Sequence, residues 1–223
     1  MKKYKIAKPM VPEVPLLRRG EAETLSEAAL SEQALSELSF EKIDGEAEDY
    51  KNVVVSQSLF AGCSFHKCSF ENGEFANAIF ENCDFSGCNF HNIYLSKVHF
   101  VNCKGLGSLF TNGMFKDVFF ESCNLAMANF DYSKLEFCVF KECQLLDSNL
   151  AYCHFKNTTW DKTNLSRTSF FQTPLKKQDF TTCELEGIVL SENPIELKGA
   201  IVNTYQAVDL AKRLGVIVRS MEE

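Results

Sequence analysis

Ten cysteines and four histidines are the side chains of this 223-residue chain with the chemistry to hold a metal, close a disulfide or attack a substrate. Their spacing argues against all three uses. The cysteines stand at 63, 68, 83, 88, 103, 123, 138, 143, 153 and 183, all in one five-residue register, and six of them (Cys63, Cys83, Cys103, Cys123, Cys143 and Cys183) are separated by multiples of twenty. Neither ligation nor pairing requires thiols to keep step with phenylalanines, whereas a buried thiol packs as a small apolar group. Ser, Ala, Thr and Val take the same register elsewhere, so the cysteines read as structure. His66, His91, His99 and His154 fall in different outward columns and do not converge on one ion. Glycine-rich phosphate loops, nucleophile elbows and paired catalytic carboxylates are absent from the sequence. The reading is a non-enzyme with no cofactor and no metal.

The elements behind these residues follow from the repeat. From Val55 to Ile195 there are 29 positions at multiples of five; sixteen are Phe and nine are Leu, the others being Val55, Gly105, Trp160 and Ile195. A mostly small residue lies two positions earlier, as in CSF at 63–65, CDF at 83–85 and ANF at 128–130. In extended backbone, residues two apart point to the same side. The large and small residues therefore enter the interior together. A period of five fits neither an amphipathic helix nor a plain strand; it fits a short extended segment, a turn, and the same again. Four segments make a coil of twenty residues. Phe60, Phe80, Phe100, Phe120, Phe140, Trp160 and Phe180 then stack as one interior column, beside Cys63, Cys83, Cys103, Cys123 and Cys143. The expected fold is an all-β solenoid, a quadrilateral β-helix of about seven coils and about 34 Å. At Gly105, the one empty large position, a local bulge is expected to turn Leu106 inward.

Four regions are expected. Residues 1–22 read as an extended tail with Pro9, Pro12 and Pro15, mobile or laid along the rod. Residues 23–49 read as a cap, a short helix or irregular first coils. Regular coils span 50–197, and 198–223 form a helix and strand that cap the rod and dimerise it. In that last unit Asn203 or Thr204 is the N-cap, Gly215 the stop, and Val216–Val218 the strand. Tyr205, Ala207, Val208, Leu210, Ala211 and Leu214 are the expected dimer interface across a two-fold axis. The formal charge of −7 is uneven: about +4 over 1–21, about −8 over 22–50 and about −3 over 51–195. An acidic balance disfavours direct nucleic-acid binding. With no apolar run of membrane length and no secretory signal, the expected address is the cytoplasm.

Motifs such as AMANF at 126–130 and LDSNL at 146–150 resemble the pentapeptide-repeat family over at least residues 50–195. The resemblance implies a right-handed quadrilateral β-helix. A narrower likeness lies in NTYQAVDLAKRLGVIV at 203–218, after LKGAIV, and in FEKIDGEAEDYKN at 40–52. Both look like segments of the Qnr-type quinolone-resistance proteins. That likeness implies a homodimeric rod, joined through its tail, that mimics DNA, binds DNA gyrase or topoisomerase IV and protects it from fluoroquinolones. The chain lacks the loops of the plasmid-borne members and looks closer to loop-free chromosomal relatives, so loop-dependent protection does not carry over. Outward acids Glu81, Glu121, Glu142 and Asp161 lie along one edge as candidate phosphate mimics, interrupted by Lys141 and Lys162. The alternative is an ordinary solvated wall on a scaffold or immunity-type protein with another partner. Two outward apolar strips are also candidates for a partner or for coverage by the tail: Ile79, Phe119 and Val139 with His99, and Leu106, Ala126, Met127 and Leu146.

Overall fold

A computed structural model describes all residues except 1–6, 11–16, 214 and 220–223. Residues twenty apart lie side by side in parallel register. On one wall Phe75, Leu95, Phe115, Leu135 and Phe155 follow one another; on the next, Phe40, Phe60, Phe80, Phe100, Phe120, Phe140 and Trp160 do so. The other two walls pair largely through single bridges, Ser64–Asp84–Lys104–Asn124–Gln144–Asn164–Glu184 and Ser69–Asn89–Leu109–Asn129–Asn149–Ser169–Val189. The fold is a right-handed quadrilateral β-helix of about seven coils.

The interior repeats the pattern of the sequence. Consecutive rings from Phe40 to Trp160 stack with centroids 4.6–4.8 Å apart and planes within 20°. Stacked rings favour centroid separations of about 4.5–7 Å, a range that one coil rise meets, and each ring buries roughly 150–250 Å². The stack loosens at its end, where Phe180 lies 5.9 Å from Trp160 at 31°. There the indole Nε1 donates to Gln178 Oε1 at 2.9 Å.

Four turns per coil need a residue that reverses direction. From Glu37 to Lys177 every fifth residue is left-handed, with φ between 47° and 70°. The position is the second after each large residue, and it holds Asn or Gly at 52, 62, 72, 77, 82, 87, 92, 102, 107, 112, 157 and 187. Those types enter this region at least cost. Most corner amides donate to a carbonyl of the coil above, as Asn72 N does to His91 O at 2.9 Å, and Lys162 N donates instead to the Thr182 hydroxyl.

The expected bulge at Gly105 does not form. The ladder passes through it unbroken, with Gly105 N donating to Asn124 O at 2.8 Å. A Cβ on Gly105 would lie 2.9 Å from Leu125 Cδ2, so the next coil's leucine already fills the gap. Leu106 accordingly stays outside, 46% exposed.

Both ends differ from the expected boundaries. A helix, α1, spans Ala22–Ser31, and coils begin soon after it: Leu35 pairs with Val55 and Asp44 with Ser64, some fifteen residues before the expected start at 50. Before α1, the strand β1 (Arg18–Gly20) pairs with Leu38–Phe40. At the far end the coils stop after Leu190. Ile195 belongs to a 3-10 turn (Ile195–Leu197), is 73% exposed and does not enter the interior, while Glu196 is buried. The turn adds two residues, so that Asp179 pairs with Ile201. The second helix, α2, spans Thr204–Arg213. Asn203 is its N-cap: Oδ1 accepts Gln206 N at 3.0 Å, and Gln206 Oε1 accepts Asn203 N at 2.8 Å. Gly215, at φ 81°, closes the helix with amide bonds from 215 to 212 and from 216 to 211. Val216–Val218 form no strand in the single chain.

Candidate functional site

With the interior filled, the outer walls and the two ends carry whatever recognition the rod has. Register places Glu81, Val101, Glu121, Lys141 and Asp161 in one column, with Glu142 and Lys162 on the adjoining corner. The column brings Glu121 and Asp161 onto one edge but sets Lys141 between them. Lys141 Nζ lies 2.6 Å from Glu121 Oε1, and Lys162 Nζ lies 3.5 Å from Glu142 Oε1. The hydrogen bond from Lys141 holds the Glu121 carboxyl below the usual range. Three acids and one lysine over four coil steps give a net charge of about −2 in about 19 Å, where a DNA duplex carries about −11. Charge along this edge is therefore far sparser than on a duplex.

The first apolar strip is in register, Ile79–His99–Phe119–Val139. The His99 and Phe119 rings meet edge to face at 4.7 Å. None of the four is fully exposed. Burial lowers the His99 pKa against the opposing pull of Glu121, whose Oε2 lies 3.4 Å from Nε2 without hydrogen-bond geometry. Of the second strip, Leu106 and Met127 are exposed. One corner column that sequence reasoning passed over begins as an amide ladder, with Asn72 Nδ2 donating to Asn52 Oδ1 at 3.3 Å and Asn92 Nδ2 to Asn72 Oδ1 at 3.2 Å. It ends in exposed aromatic rings: Tyr132 stacks on Tyr152 at 4.8 Å and 2°, and Phe171 meets Tyr152 edge-on. The twenty-residue spacing of the asparagines and of the two tyrosines was the available signal.

All ten cysteines are buried. Eight of them donate Sγ–H to a backbone carbonyl twenty-three residues back, as Cys63 does to Phe40, Cys103 to Phe80 and Cys143 to Phe120, at 3.3–3.4 Å, while Cys68 turns to His66 O. Ser108, Thr163 and Thr168 make the same bond with hydroxyls. A thiolate there would face the carbonyl oxygen its proton now bonds, so the ladder holds thiols. Burial pushes Cys138 and Cys153 up to about 12. Among the described residues no three His, Cys, Asp or Glu side chains are grouped to share an ion.

At the C-terminal end Gln206 is buried, and its Nε2 donates to Phe180 O and Cys183 O at 2.8 and 2.7 Å, capping the last coil. Leu210 is buried against the same coil beside Leu185, at a cavity of about 300 Å³ lined also by Asp209 and Arg213. It seats α2 on its own rod, which takes it out of the expected interface. Tyr205 is 86% and Ile217 84% exposed, with Ala207, Val216 and Val218 also exposed and Val208 and Ala211 half-buried. Leu214 lies outside the described residues. No helix among the described residues is long and apolar enough to cross a membrane.

Models of the pentapeptide repeat region match residues 73–150 and 113–190, and one of pentapeptide repeats (8 copies) matches 51–87. No curated protein matches the chain. Among solved structures, a trypsin-treated form of QnrB1, a plasmid-mediated fluoroquinolone resistance protein, is 20% identical, with 81% of this chain and 100% of that chain covered and a TM-score of 0.44. A pentapeptide repeat protein from the Arabidopsis thaliana thylakoid lumen is 19% identical over 42% of this chain and 66% of its own, with a TM-score of 0.40. HetL, involved in heterocyst differentiation regulation in the cyanobacterium Nostoc, is 10% identical over 82% and 94%, with a TM-score of 0.31.

Proposed function

We infer that this chain, which belongs to the pentapeptide-repeat family, is a non-catalytic cytoplasmic rod that binds DNA gyrase or topoisomerase IV and protects it from fluoroquinolones. The observation that carries the reading is the C-terminal unit. The segment 203–218, which resembles the tail of the Qnr-type group, folds as a capped helix seated by Gln206 and Leu210, with Tyr205 and Val216–Val218 left in solvent. Two copies meeting there make a homodimeric rod about twice the length of one, with outer walls to offer and no open cleft in its core. Shape supports duplex mimicry more than charge does, because lysines neutralise two of the four edge acids.

The test is gyrase supercoiling under ciprofloxacin, titrated with the purified protein. Supercoiling should recover with dose. Absence of both recovery and binding to either topoisomerase would overturn the reading. The interface is tested separately: Tyr205→Glu with Ile217→Glu should halve the mass in solution while leaving the circular dichroism unchanged. The pairing of Glu121 with Lys141 and Glu142 with Lys162 favours the second reading, a scaffold or immunity-type binder with a different partner. On that reading the rod leaves ciprofloxacin inhibition untouched.

A further inference from the structure

Between residues 35 and 190, every large apolar side chain left exposed among the described residues lies on one side of the rod. Leu109 and Val189 stand in the column Ser69–Asn89–Leu109–Asn129–Asn149–Ser169–Val189, and Phe171 stands beside that column on the same wall. Met127 occupies one corner of this wall, and Tyr132 and Tyr152 the other. Leu106 and Met114 lie just past those two corners. The opposite wall, with Glu81, Glu121 and Asp161, exposes none.

Charge avoids the same wall. Among its outward residues from Leu109 to Val189, and those of the Tyr132 corner, Asp131 alone is ionic, and its Oδ1 accepts Ala151 N at 2.8 Å. At the Met127 corner, Arg167 Nε and Nη2 reach both oxygens of Asp147 at 2.6 and 2.8 Å, so those two charges cancel. Few charges together with exposed aromatic and methionine side chains mark the core of a protein interface. The corners add a separate observation. Met127, Tyr132 and Tyr152 are left-handed, with φ 59°, 62° and 55°. Gly107 and Asn112 hold the same stations one coil earlier, and those types enter this region at less cost than a bulky side chain. All three side chains are exposed, so no interior packing offsets the strain, which points to a use outside the rod.

The extent of the patch selects its occupant. Four coil steps at 4.8 Å separate Leu109 from Val189, about 19 Å. A wall of three extended residues is about 10 Å wide, so its flat face offers about 200 Å², where a stable pair of proteins needs about 800 Å² a side. A second rod laid flat on this one would cover that face and miss Leu106 and Met114 around the corners. A concave body covers all three sides. The described part of the N-terminal segment meets the diagonally opposite corner, at Asn77 and Asp117, and does not cover the patch.

We propose that this wall and its two corners are the face that meets the partner, and that the occupant is a concave, uncharged, apolar surface of the topoisomerase. The proposal rests on the topoisomerase reading and adds to it the face and its chemistry.

Immobilised gyrase and topoisomerase IV are titrated with the purified full chain by biolayer interferometry. Met127→Glu with Tyr152→Glu should weaken binding by about tenfold or more. Asn102→Glu with Thr159→Glu adds the same charge on the far side of the rod and should change binding less than about threefold. A salt series needs no variant. Raising salt from about 50 mM to about 300 mM should move the affinity of the unmodified chain less than about threefold, because a contact between neutral surfaces is barely screened. Equal losses from the two pairs, or a tenfold fall with salt, would overturn the inference and leave the topoisomerase reading intact. If the unmodified chain binds neither enzyme, that reading fails and the inference fails with it. Both pairs should keep the circular dichroism and the solution mass of the unmodified chain. A mass halved by Met127→Glu with Tyr152→Glu would make the wall a contact between copies and overturn the inference.

Discussion

A cysteine in this rod does what serine and threonine do at the same station. Cys103 donates to Phe80 O, Ser108 to Phe85 O and Thr163 to Phe140 O. Cys103→Ser should therefore change stability by no more than about 1 kcal/mol, whereas Cys103→Leu, which overfills a closed interior, should cost about 1–3 kcal/mol by chemical denaturation. In native buffer none of the ten thiols should react with Ellman's reagent, and all ten should react in guanidinium. Rapid labelling of even one would show an open coil. Burial of these residues was legible from their register, because thiols, hydroxyls and alanine alternate there. Most of their hydrogen bonds across coils were not legible, since those acceptors lie twenty-three residues back and only stacking brings them near.

The repeating element is a short strand and a left-handed corner, and the corner sets which substitutions it accepts. Asn102, at φ 52°, is exposed and free of packing demands. Asn102→Gly should hold or slightly raise the denaturation midpoint, while Asn102→Val should cost about 1–2 kcal/mol because a branched Cβ crowds the backbone there. Equal midpoints for the two variants would mean that the corners carry no conformational demand. The large and small positions were readable in the sequence, but the corners were not read, although asparagine and glycine mark them. Gly105 misled the reading: it stands at a large position, and Leu125 Cδ2 from the next coil fills the space. Such filling depends on the neighbouring turn of chain, which local pattern does not reveal, and it suggested a bulge that does not exist. The sequence leaves the region 23–49 open between a cap, a short helix and irregular first coils, and the structure holds both a helix, α1, and coils from Leu35 onward.

At the level of the whole molecule, stability is a sum over neighbouring coils. Excising 121–140 joins Phe120 to Lys141 in the register that Glu121 held, so the shortened rod should keep its circular dichroism and melt cooperatively. Excising only 121–138 puts Phe140 on a left-handed corner and should yield aggregated or unfolded protein. Identical behaviour of the two deletions would refute the twenty-residue register as the organising unit. The acids proposed to meet a partner were found in the sequence as residues, yet their pairing with Lys141 and Lys162 emerged only from the stacking of coils. The ring column has a mechanical meaning as well. Plates already touching at 4.6–4.8 Å leave no slack along the axis. Flexing the shaft would mean sliding one plate over another, so the shaft acts as a stiff gauge, and a body that closes around it must itself supply the curvature.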